Sequence, residues 1–177
     1  MTDAPTLDAY GMLTEPATLK IERLLPGPVE RVWAYLTDSD KRRQWLAAGD
    51  MTLAVGAPFK LTWRNNELTD PPGNKPADFG DEHSMETRIT ELHAPYRLAF
   101  AWGERGEVVI DLDPRGDKVL LTLVHKRISD RRNEVMIGAG WHAHLDILAA
   151  RISGTRPEPF WDHWLALKEE YEARIPK

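Results

Sequence analysis

The chain has 177 residues, enough for one domain with a sizeable core, and its formal net charge of −5 argues against bulk affinity for nucleic acid. It contains no cysteine, so disulfides, thiolate metal sites and a thiol nucleophile are excluded. No segment approaches the roughly 20 consecutive apolar residues of a membrane span, and the N-terminus lacks the pattern of a signal peptide, so a cytoplasmic location without membrane contact is expected.

Residues 1–17 are polar, carry two prolines and show no periodicity, which predicts a loosely attached lead-in to a single domain over 18–177. From Thr18 to Leu25 apolar and polar residues alternate, predicting a strand with Leu19, Ile21 and Arg23 on one side. Pro28 suits the first position of a helix, and Val29, Val32, Trp33 and Leu36 then recur at helical spacing. Asp38 or Ser39 can cap a second short helix ending near Trp45 and Leu46. The basic run Lys41, Arg42 and Arg43 is read there as a complement to the negative end of the helix dipole.

From about Asp50 to Arg127 the period becomes two. Phe59, Leu61 and Trp63 form one row, followed by Leu98, Phe100 and Trp102, then Val108, Ile110 and Leu112, then Val119, Leu121, Leu123 and His125. Gly- and Pro-containing turns separate most of these runs, as in an antiparallel meander with one packed face. In the run around Arg88, Glu86 and Arg88 alternate with Met85, Thr87 and Ile89, and the charged parity is expected to face solvent. The stretch from Asn65 to His83, with three prolines and two glycines, is too long for a turn and reads as a flap or a disordered insertion. A long helix follows from Arg131 to Ile152, carrying Trp141, Leu145, Leu148 and Ile152, with Gly154 as its stop. Gly138 and Gly140 inside it each cost about 1 kcal/mol against alanine, which points to close backbone approach or to room left open. A final helix places Phe160, Trp164, Leu167 and Tyr171 on one stripe, leaving Trp161 and the strand edges as features that could support a homodimer.

Several stretches carry a family resemblance. They are Gly27-Pro-Val-Glu-Arg-Val-Trp33, Trp45-Leu46, Val55-Gly-Ala-Pro-Phe59, Ile89-Thr-Glu-Leu-His-Ala-Pro-Tyr-Arg-Leu98 with Trp102, Leu121-Thr-Leu-Val-His125, and Gly140-Trp-His-Ala-His-Leu-Asp-Ile-Leu148. Together they resemble the SRPBCC superfamily, and within it the group named for the activator of heat-shock protein 90 ATPase, over about residues 18–153. The resemblance implies an α+β, START-like helix-grip fold. In it an antiparallel sheet of six to seven strands is wrapped around a long C-terminal helix, two short helices follow the first strand, and a cavity lies between sheet and helix. The superfamily includes lipid and hormone binders, polyketide cyclases, hydroxylase domains and co-chaperone domains, so function has to be argued from the site. The eukaryotic co-chaperone resembles a two-domain protein whose partner contacts also use an N-terminal domain, whereas this chain reads as one domain.

Trp33, Trp63, Trp102 and Trp141 come from four different elements, each on the side expected to face inward. Four such rings remove on the order of 600–1,000 Å² from water. They therefore line either a dry core or an apolar pocket. The expected ligand-binding set is Trp33, Phe59, Trp63, Phe100, Trp102, His125, Trp141 and Leu145. His125 is the candidate acid or base, its alternative role being a hydrogen bond to a neighbouring strand or helix. Tyr35 or His144 could assist it. His142 and Asp146 share a helix face at i,i+4 but show no third metal ligand, so they read as a surface ion pair, and no metal or cofactor is expected.

Three functions fit these features. The first is binding or carriage of a small apolar molecule (lipid, aromatic or polyketide-like) in a Trp-lined cavity. The second is a stress-associated protein-interaction module with a chaperone partner, acting through the sheet face or the 65–83 segment. The third is a cyclase- or hydrolase-like enzyme using His125. No nucleophile elbow, zinc-protease motif, phosphate loop or dinucleotide fingerprint is present.

Overall fold

Strands with one apolar row can bury that row only against a second layer, and the computed structural model, which describes residues 7–177, shows what supplies it. Strands β1 (Met12–Glu15), β2 (Thr18–Pro26), β3 (Pro58–Trp63), β4 (His83–His93), β5 (Arg97–Trp102), β6 (Gly106–Arg115) and β7 (Lys118–Lys126) form one antiparallel sheet. Their spatial order is β1-β2-β7-β6-β5-β4-β3. Helices α1 (Val29–Thr37) and α2 (Ser39–Arg42) follow β2, while α3 (Arg131–Ser153) and α4 (Phe160–Arg174) close the chain. This is the α+β helix-grip arrangement expected from the sequence. No helix among the described residues is long and apolar enough to cross a membrane.

The inward rows run straight across the sheet. Ile21, Leu123, Ile110 and Leu98 pair in register over β2, β7, β6 and β5. The next row is Leu19, His125, Val108, Phe100 and Ile89. All nine of these side chains are buried, and His125 stands one residue from the end of β7. Glu86 and Arg88 face solvent while Thr87 and Ile89 are buried, as the alternation predicts. Helix α3 packs on β2 and α4. Asp130 starts α3 by accepting the Asn133 N–H at 2.9 Å, and Gly154 stops it at φ 72°, where a side chain would be strained.

Four expectations are corrected. Within the predicted lead-in, Met12–Glu15 is a strand paired to β2, because Leu13 can partner Leu19; residues 1–6 of that segment lie outside the described residues. Pro28 is the N-cap of α1 rather than its first helical residue. Helix α2 ends at Arg42, and Arg42 is no dipole-compensating surface charge. It is 2% exposed and donates to the carbonyl oxygens of Leu36, Ala47 and Gly49, tying α1 to the loop before β3. Burial lowers its guanidinium to about 10.

The fourth correction concerns residues 65–83, which are folded onto α4. Leu68 is 1% exposed, Thr69 Oγ1 accepts the Phe160 N–H at 2.9 Å, and the Pro72 carbonyl accepts the Trp161 N–H at 2.9 Å. The Phe79 ring stacks on Trp161 with centroids 5.5 Å apart. Trp161 is therefore 5% exposed, with its indole N–H donated to Asn66 Oδ1, and it offers no dimer surface.

Candidate functional site: a tryptophan-lined cavity

A cavity of about 570 Å³ lies between the ends of β3 and β5, one face of α3, the start of α4 and the 78–83 end of the long connection. Trp63 and Trp102 are the last residues of β3 and β5, and their inward parity aims both rings at α3. Their centroids are 5.6 Å apart, and Trp102 is again 5.6 Å from Trp141. Helix α3 contributes Ile137, Gly140, Trp141 and His144, the i, i+3, i+4, i+7 pattern of a single stripe. Phe160, Trp161 and Trp164 of α4 close the opposite side.

The two glycines of α3 divide the alternatives between them. A Cβ on Gly138 would sit 2.9 Å from the Tyr171 ring, so this glycine lets α3 and α4 approach closely. A Cβ on Gly140 would meet no atom within 4 Å, and its missing side chain is part of the cavity.

The charges at the mouth are acidic: Asp78, Asp81 and Glu82. Asp81 accepts from Lys75 at 2.6 Å, which lowers its pKa, and Glu82 pairs with Arg64 at 2.8 Å. Inside, the polar groups are few. Asn65 Oδ1 is the one buried side-chain acceptor without a partner among the described residues. Trp141 donates its indole N–H to His125 Nδ1 at 3.0 Å. His144 Nδ1 lies 2.8 Å from the Trp45 carbonyl oxygen.

Of the expected binding residues, Trp63, Trp102 and Trp141 line this space, and Trp33, Phe59, Phe100, Leu145 and His125 do not. Phe59 and Phe100 meet edge to face at 5.9 Å in the core beneath α2, and Leu145 is fully buried. Trp33 belongs to the α1 side of the core. His125 is sealed behind Trp102 and Trp141, and burial lowers its imidazole to about 4. It bonds a neighbouring helix, which was the alternative to acid–base work, and Tyr35 is likewise outside the cavity. The residues missed were Phe79, Phe160, Trp161 and Trp164. Three aromatic side chains within five residues of α4 exceed what one helix stripe can bury, and that was the readable signal.

The reading of His142 and Asp146 as a surface pair also changes. His142 is 4% exposed, and His163 from α4 completes a group whose candidate ligand atoms lie within 4.8 Å of one another. Asp146 Oδ2 accepts from His163 Nε2 at 2.8 Å and lies 3.3 Å from His142 Nε2, while Arg23 holds Oδ1 at 2.9 Å. Tyr171 accepts the Gly11 N–H at 2.7 Å and stands 3.0 Å from His142 Nδ1. Arg23 already supplies the countercharge a metal would bring, so the group is read as a buried hydrogen-bonded network joining β2, α3, α4 and the chain before β1. Burial acts to raise the Asp146 pKa, but the bonds from both histidines and the Arg23 charge prevail and hold it well below the usual carboxylate range.

Residues 26–153 match the family described as activator of Hsp90 ATPase homolog 1-like protein, abbreviated AHSA1. The chain belongs to this family. The solution structure of a protein from Bordetella parapertussis is 34% identical, with a TM-score of 0.80, covering 100% of this chain and 97% of that one. CalU16 from Micromonospora echinospora is 25% identical over 91% of this chain and 92% of its own, at a TM-score of 0.66. The AHSA1-like protein of Aeromonas hydrophila, 18% identical at a TM-score of 0.58, covers 76% of this chain and 94% of its own, and shares the fold. No curated protein matches the sequence. The AHSA1 match ends at 153, so the α4 wall of the cavity stands outside it.

Proposed function

We propose that this AHSA1-family protein binds a small, largely apolar, aromatic molecule in the cavity between sheet, α3 and α4. The observation that carries the reading is one volume of about 570 Å³ walled by Trp63, Trp102, Trp141, Trp161 and Trp164. That volume falls within the roughly 300–1,000 Å³ of small-molecule sites, and the indole faces suit a flat apolar partner. His125 has no access to the space, so the geometry favours binding over catalysis by that residue.

The test uses Gly140→Phe, which projects a ring into the space where a Cβ meets nothing. A panel of neutral aromatic compounds is titrated against both proteins by tryptophan fluorescence and thermal shift. Saturable binding to the native chain, lost in a variant with unchanged circular dichroism, is the expected result. Failure of the whole panel to bind, or binding indifferent to Gly140→Phe, rejects the proposal.

A further inference from the structure

His144 is the polar group that the α3 stripe presents to the cavity. Its Nδ1 is 2.8 Å from the Trp45 carbonyl oxygen, and a carbonyl can only accept, so Nδ1 carries the ring proton. The ring is packed against Phe160, with centroids 5.0 Å apart, and exchanging its nitrogens by a half-turn would break the bond to the Trp45 carbonyl oxygen. Burial lowers the imidazole to about 4, so at neutral pH the ring is uncharged and Nε2 is a bare acceptor. Among the described residues Nε2 has no hydrogen-bond partner, and it is not among the sealed, unsatisfied atoms. It opens on the cavity. Trp141 and Trp161 donate their indole N–H groups to His125 and Asn66, whereas those of Trp63, Trp102 and Trp164 find no acceptor among the described residues. The wall thus offers a fixed imidazole acceptor, an arrangement complementary to a group that donates.

We infer that the bound molecule is a hydroxylated aromatic whose O–H donates to His144 Nε2, a claim that rests on the cavity being the binding site.

The test compares β-naphthol with its methyl ether, which keeps the ring system and the acceptor oxygen but lacks the donor. The native chain should prefer the naphthol by about tenfold, the worth of one hydrogen bond to an acceptor otherwise left unpaired. His144→Asn keeps an N–H where Nδ1 donates to Trp45 and removes Nε2. It should bind the ether as before and lose the preference. In the native chain labelled with nitrogen-15 histidine, the Nε2 resonance should move upfield on adding naphthol and stay in place with the ether. This measurement serves even if the variant does not fold. Equal affinity for the two compounds, a preference that survives His144→Asn, or an unmoved Nε2 resonance overturns the inference while ether binding leaves the cavity reading standing. Binding of neither compound overturns both.

Discussion

Alanine placed separately at Gly138 and Gly140 asks the same chemical question two residues apart on α3 and should give different answers. In a helix interior, glycine to alanine contributes about 1 kcal/mol through backbone entropy. At Gly140 nothing opposes that gain, since a Cβ meets no atom within 4 Å. For a chain of this size about 1 kcal/mol raises the melting temperature by about 2–4 °C. At Gly138 the new methyl would lie 2.9 Å from Tyr171 Cδ1 and 3.0 Å from Cε1. The ring cannot yield easily, because it is fully buried and its hydroxyl is held by the Gly11 N–H at 2.7 Å and by His142 at 3.0 Å. Overpacking of this kind costs about 1–3 kcal/mol, so Gly138→Ala should range from neutral to about 2 kcal/mol less stable. Urea denaturation with unchanged m-values measures both. A Gly138→Ala protein as stabilised as Gly140→Ala would show that α4 is not docked on α3 as described.

The stability profile should peak near pH 6.5. His125 and His144 are lowered by burial to about 4, so between that value and about 6.5 the unfolded chain holds more protons, and acidification removes roughly 3 kcal/mol for each. His163 is raised, chiefly by its bond to Asp146; its contribution is complete below about 6.5 and is lost as pH rises through its folded value. Urea midpoints climbing steadily from pH 5 to 9 would refute this assignment. Arg42→Met should lose about 3 kcal/mol in the same assay, because three carbonyl groups lose their donor, and a loss below about 1 kcal/mol would mean that water replaces the guanidinium.

What the chain reveals by itself depends on how local the cause is. Alternation along Val119, Leu121, Leu123 and His125 is a property of neighbouring residues, so the sheet and its inward parity were legible. The stripe on α3 was legible for the same reason, and with it Trp141. Parity says which way a ring points but not what stands behind it, so Phe59 and Phe100 were grouped with the cavity though they pack beneath α2. The order of residues 65–83 comes from Phe79 meeting Trp161 and Leu68 being buried, contacts between segments far apart in sequence that leave no periodic trace. Arg42 looked like solvent-facing charge because its acceptors are backbone carbonyls, which no side-chain pattern records.

The division of the cavity between two parts of the chain has a consequence for its relatives. Trp63, Trp102, Trp141 and His144 belong to the stretch that matches the family, while Phe160, Trp161 and Trp164 come after it. Such a layout separates the family scaffold from the helix that closes the cavity. A lineage could exchange the closing helix and re-line that side of the cavity without disturbing a single strand pairing, so chains that superpose well over the common frame need not share its lining.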